Sequence, residues 1–251
     1  MQRDTGFGCR ARMGMWLVWV VVLAIIGSKG AVQAETPVEV LEEKLCYETK
    51  LVSVDFGMPQ IALVGHPELE AQLNDGWREQ VAELVEYVTV SAQECADEFG
   101  EEVDHWFPFE LAGDFKVGYL NEGFLSIPIR YYYFTGGAHG MSFQETTNVN
   151  LQTGRDFALP DLFLPDYDYR QVIREEVIRQ MEADPWVYFQ ESLIDLEITS
   201  EQPFYLTTQG VVVYFGLYEI APYSSGIREF TIPFAHLWDG LQPDIQGISL
   251  Q

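Results

Sequence analysis

Positive charge is what this chain has least of: 14 lysines and arginines stand against 39 aspartates and glutamates, a formal net charge of −25. A field of that sign repels nucleic acid and anionic membrane surfaces, and it draws cationic partners and speeds their encounter. The same surplus also serves solubility alone. Cysteine is scarce, with three residues in 251, and the four histidines His66, His105, His139 and His236 form no H-x-x-x-H pair, so no metal-ligand spacing is visible. No G-x-S-x-G elbow, no phosphate loop with its lysine and no G-x-G-x-x-G fingerprint occurs. Serine hydrolase, nucleotide and dinucleotide chemistry are left without a motif. The carboxylates Glu101, Glu102 and Asp104 read as a solvated loop rather than a tuned acid/base pair. No catalytic residue, metal or cofactor is therefore assigned. Low-complexity tracts are missing too, and 47% hydrophobic with 14% aromatic residues supply a proper core.

What is present begins with an export signal. Arg10 and Arg12 precede an apolar run from Met13 to Ile26, and small residues lead to Ala31-Val32-Gln33-Ala34, the pattern of a secretory signal peptide cut after Ala34. The run is short for a membrane span, which needs roughly 20 apolar residues. The alternative is an uncleaved anchor with Trp16 and Trp19 at the interface, the one case in which a membrane is a partner. Either way the remainder faces outward, in a periplasmic, extracellular or cell-envelope location. Residues 1–34 carry Arg3, Arg10, Arg12 and Lys29 against Asp4, so their removal takes −25 to −28. Cys9 leaves with them. Cys46 and Cys95 remain as an even pair in an oxidising compartment, and a disulfide between them is expected over two buried thiols.

Along the rest of the chain, Val38 to Phe56 reads as one or two strands, broken by Pro59, Gly65 and Pro67. Leu69, Leu73, Trp77, Val81, Leu84, Val88 and Cys95 then recur at three- and four-residue spacing, which predicts an amphipathic helix over Pro67 to Phe99. Cys95 on that stripe can meet a strand carrying Cys46. Phe107 to Leu120 and Phe124 to Phe134, joined by Asn121-Glu122-Gly123, form a hairpin pattern. A strand from Gln144 to Leu151 follows, then a second helix burying Val172, Val177, Ile178 and Met181, broken at Asp184-Pro185 before a helical piece from Trp186 to Leu193. The last third returns to strands, and Val211-Val212-Val213 predicts one buried on both faces. The order implies an α+β fold, antiparallel sheet packed against two main helices, in two blocks, 35–143 and 144–251, sharing or abutting one sheet.

Two loops stand out by composition. In Thr135 to Gly140, Gly136 and Gly137 set His139 at a strand end, either presenting a polar side chain or making a sharp turn. In Tyr218 to Gly226, Tyr218, Pro222 and Tyr223 stand beside small hydroxyl residues, a mixture suited to adaptable contact surfaces and equally to a core edge.

The segments Y-Y-Y-F-T-G-G-A-H-G, L-Q-T-G-R-D-F-A-L-P-D-L-F and Y-F-G-L-Y-E-I-A-P-Y-S-S-G, followed by F-T-I-P-F, occur in that order. Together they resemble the extracytoplasmic module of the anti-sigma-V factor family, which senses lysozyme, and the N-terminal part of some peptidoglycan deacetylases. The resemblance spans nearly all of residues 36–240. Anti-sigma members carry a cytoplasmic segment where only residues 1–12 precede the apolar run here, and no Asp-Asp pair of the deacetylase motif occurs. What the resemblance carries over is the exported module itself, binding a basic protein such as lysozyme, or cell-wall fragments. Pro222 and Tyr223 are then the anchors, with His139 shaping a neighbouring surface. The competing expectation is an enzyme on peptidoglycan or another polysaccharide, which requires paired carboxylates converging in a cleft.

Overall fold

The structure, a computed structural model, describes residues 38–100 and 108–247. The export signal expected over residues 1–34, with Cys9, and the acidic loop Glu101, Glu102 and Asp104 lie outside the described residues. Helices and strands are both abundant, and the fold is α+β. Contacts divide the chain into two compact units. The first runs to Phe115 and takes in Tyr131–Met141, while the second comprises Lys116–Arg130 and the chain from Ser142 onward.

In the first unit β1 (Val38–Glu48) pairs antiparallel with β2 (Val52–Leu63), and α1 (Pro67–Phe99) crosses over to β3 (Phe109–Phe115). The helix has the bounds that its three- and four-residue periodicity predicts, starts with proline in its first turn, and buries Leu69, Leu73, Trp77, Val81 and Val88. β2 and β3 pair in parallel over Val52–Phe56 and Phe109–Gly113, so the sheet is not antiparallel throughout. A crossover as long as α1 makes that possible, since parallel neighbours need a connection of a dozen residues or more.

Pro59 does not end β2, as the sequence reading has it; the strand runs on to Leu63 with Pro59 opposite Glu42. The reason lies at the strand's other edge. The backbone N–H and carbonyl of Ile61 face away from β1 and are both bonded by the Asn74 carboxamide of α1, at 2.8 and 2.9 Å, and the Leu63 N–H is accepted by Glu70 at 2.7 Å. Pro59 shares that orientation by period two, so its missing N–H costs the β1–β2 ladder nothing.

The same alternation overturns the expected Cys46–Cys95 disulfide. Glu43 on β1 reaches α1, where Arg78 donates to it at 3.0 Å. Cys46 is three residues on, with the opposite parity, and with Lys44 and its cross-strand partner Asp55 it projects from the face away from α1. Cys95 lies on α1 with a free thiol.

The second unit holds β4 (Tyr119–Leu120), most of β5 (Phe124–Phe134) and β6 (Met141–Asn150), and β7 (Arg155–Asp156). The predicted hairpin is there, with Asn121 Oδ1 accepting the N–H groups of Gly123 and Phe124. Its first run is split into β3 and β4 by Lys116–Gly118, which belong to neither strand although the Lys116 and Gly118 N–H groups still donate to the Pro128 and Ser126 carbonyls of β5.

After α2 (Tyr169–Met181) and α3 (Gln190–Asp195) comes a three-stranded sheet of β8 (Phe204–Leu206), β9 (Gly210–Phe215) and β10 (Arg228–Pro233) in the order β10-β9-β8, then α4 (Phe234–Leu237) and α5 (Pro243–Gln246). β9 is buried along its whole length. Val211, Val213 and Phe215 join the core with Ile173, Val177 and Met181 of α2, while Val212 and Tyr214 pack with Tyr205 on the other face.

Candidate binding site

The loop between β9 and β10 is held from below and open above. Ile220 and Ala221 are buried, the Ile220 carbonyl accepts the Phe189 N–H at 3.0 Å, and Glu219 folds back to accept the Gly216 N–H at 2.6 Å. On that footing the loop lifts Tyr218, which is 53% exposed, and Pro222 to the surface. The rings of Tyr218 and Tyr223 lie 5.8 Å apart and tilted by 36°. Tyr218 has φ +66°, and among the described residues it is the non-glycine with a left-handed backbone. That conformation costs an L-residue about 1–2 kcal/mol and, where it persists, often marks a functional constraint. A single 3-10 turn, Tyr223–Ser225, closes the loop onto Gly226.

His139, Gly136 and Gly137 sit in the first unit, in the connection from β5 to β6. Gly136 and Gly137 both have positive φ, at +96° and +89°, so the turn itself requires them. His139 is exposed, and its Nδ1 lies 3.1 Å from the Gly140 carbonyl oxygen. The structure thus brings Tyr218, Pro222 and Tyr223 together in one unit and places the histidine loop in the other.

Sequence reasoning misses a polar seam within the second unit. Glu229 on β10 receives Arg130 Nη2 at 2.8 Å and lies 3.5 Å from Lys116 Nζ. Burial pushes the Glu229 carboxyl up, but the charges of Arg130 and Lys116 outweigh it and leave the group below the usual carboxylate range. Lys116 also donates to the Tyr205 hydroxyl at 2.6 Å and lies over its ring, while Tyr214, in contact with Thr146 at 3.1 Å, is pushed up to about 12 chiefly by burial. Next to it, Ser126 donates to Asn148 and accepts the Leu206 N–H, and Asn148 donates to the Phe204 carbonyl. These bonds satisfy buried polar groups and fix how β5 and β6 meet β8. They come from residues far apart in sequence, so no local signal announces them.

A cavity of about 420 Å³ opens at one end of this seam, lined by Gln144, Thr146, Gln202, Tyr214 and two glutamates, Glu145 and Glu201. Both glutamates are exposed. Among the described residues no three His, Cys, Asp or Glu side chains are grouped to hold a metal. Trp186, expected inside a helical piece, is 91% exposed on a 3-10 turn.

The protein these elements define is an α+β chain of two units that presents an aromatic loop on the second. Residues 45–142 match a family model described as deacetylase PdaC, and residues 160–235 match one described as a protein of unknown function, DUF3298. No curated protein matches. Among solved structures, the chain is similar to a DUF3298 family member from Bacteroides fragilis NCTC 9343, with 22% identity and a TM-score of 0.66 over 86% of this chain and 99% of that one. It is also similar to a DUF3298 family protein from Pseudomonas aeruginosa PAO1, with 21% identity and a TM-score of 0.56 over 84% and 97%. Likeness at this identity establishes a shared fold.

Proposed function

We propose that the chain is an exported, non-catalytic binding module that takes a macromolecular partner through the loop Gly216–Gly226, with a basic protein such as lysozyme favoured over a cell-wall fragment. One observation carries this reading: a strained, exposed Tyr218 in tilted contact with the Tyr223 ring above a buried footing. Rigid tyrosines lose little entropy on contact, and backbone strain at a surface loop has no role in holding the core. The acidic surplus of the chain supports a cationic partner. The matches to the deacetylase PdaC and DUF3298 models agree with the region over which the chain resembles lysozyme-sensing modules.

The competing reading, an enzyme on a polysaccharide, draws on Glu145 and Glu201 lining one cavity. A general acid at neutral pH needs burial to raise its pKa, and both side chains are solvent-exposed. Binding is therefore the better account. Calorimetry of the purified chain with a basic lysozyme at low and at moderate salt tests it. Salt-sensitive binding that Tyr223→Ala weakens is expected. No binding at either salt removes lysozyme as the partner.

A further inference from the structure

The turn Pro185–Val187 points Trp186 into solvent, and Ile194 on α3 is 68% exposed. Neither contributes to the core of its unit. This segment is fastened to the tyrosine loop by the bond from the Phe189 N–H to the Ile220 carbonyl. Residues 180–227 contain seven carboxylates and no lysine or arginine of their own. The cations that reach this segment are Arg174, bonded to the Ile194 and Leu196 carbonyls, and Arg228, bonded to the Tyr188 hydroxyl, so carboxylates outnumber them seven to two. Of these, Glu182, Asp184, Glu191 and Asp195 flank Trp186 and Ile194, and all four are exposed. Charge of that sign turns away an anionic lipid surface and attracts a lysine- or arginine-rich one. An indole face binds a guanidinium or ammonium favourably, and tryptophan and tyrosine supply much of the energy at interface centres.

From this chemistry we propose that Trp186 and Ile194 extend the tyrosine loop into one acid-rimmed aromatic surface that docks a basic protein, with an arginine or lysine of the partner over the Trp186 indole. The proposal rests on the binding reading above for its partner class and its tyrosine loop, and adds Trp186 and Ile194, which that reading does not use. It is tested by calorimetry of the full chain with a basic lysozyme and with an oligoarginine peptide, comparing the parent with Trp186→Ala, Trp186→Phe and Tyr223→Ala. Binding of both ligands is expected to weaken at least about tenfold in Trp186→Ala and to recover in part in Trp186→Phe. The thermal midpoint should stay at the parent value, since the side chain lies in solvent. Parental affinity in Trp186→Ala overturns this surface, and a loss in Tyr223→Ala alongside it leaves the binding reading standing. Loss in Trp186→Ala with parental affinity in Tyr223→Ala overturns the loop assignment and with it the single surface that joins Trp186 to the loop. A parent that binds neither ligand overturns both, and capture of a neutral glycan through Trp186 in their place overturns the basic occupant.

Discussion

In the first unit aromatic rings are held by other rings: Tyr131 lies 5.3 Å from Phe56, and even the half-exposed Tyr87 meets Tyr133 edge-on at 5.6 Å. In the second unit Tyr218 is paired with Tyr223 in the same way, but Trp186 is 91% exposed, within a stretch whose own residues include no lysine or arginine. Both units are acidic on their surfaces, α1 included. Charge alone therefore does not set the two units apart; under the proposed binding reading, the exposed indole within the charge does. On this comparison, substitutions in the first unit should change stability and leave binding intact, and those in the aromatic stretch of the second should do the reverse.

The largest stability effect is expected from Asn74→Ala, which strands two backbone groups of Ile61. At one to three kcal/mol for each unpaired buried group, the loss is about 3 kcal/mol, read as a lower urea midpoint with unchanged slope and unchanged lysozyme affinity in the folded range. A loss of affinity as large as the loss of stability would break the comparison.

A smaller effect belongs to the seam. Because the folded Glu229 carboxyl lies below its ordinary value, the stability it contributes is present above the unfolded carboxylate range and is lost as pH falls through the folded value. Arg130→Met removes the larger of the two stabilising charges. That variant should be less stable at neutral pH, and its thermal midpoint should fall less than the parent's between about pH 6 and pH 3. Parallel curves for the two proteins would mean that Arg130 does not set the Glu229 titration.

The smallest effect sharpens the comparison within one residue. Tyr218→Asn suits a left-handed backbone better and should raise stability by about 0.5–1 kcal/mol while weakening partner binding. A gain in both would mean that the strain at Tyr218 has no tie to contact.

The parts legible in sequence are those that one element determines by itself. The bounds of α1 follow from its apolar stripe, the break at Asp184-Pro185 from proline, and the burial of β9 from three consecutive valines. What escaped depends on a neighbour. Pro59 fits inside β2 because parity turns its missing N–H away from β1, and Cys46 misses Cys95 because register and parity decide its face. The parallel β2–β3 pairing and the Ser126–Asn148–Phe204 bonds join residues distant in sequence. Composition points to the tilted pair Tyr218 and Tyr223, whereas a helical pattern hides Trp186. Its signal was present as the long stretch without a basic residue.

Beyond Phe56, β2 continues past the register it shares with β3, yet Asn74 and Glu70 answer its outward groups at Ile61 and Leu63. A strand that outruns its neighbour is ordinarily a template on which a second molecule can add its own strand. Here two side chains of a helix take the place such a strand would occupy. The carboxamide that satisfies both outward groups of Ile61 thereby also blocks this edge against self-pairing between copies of the chain.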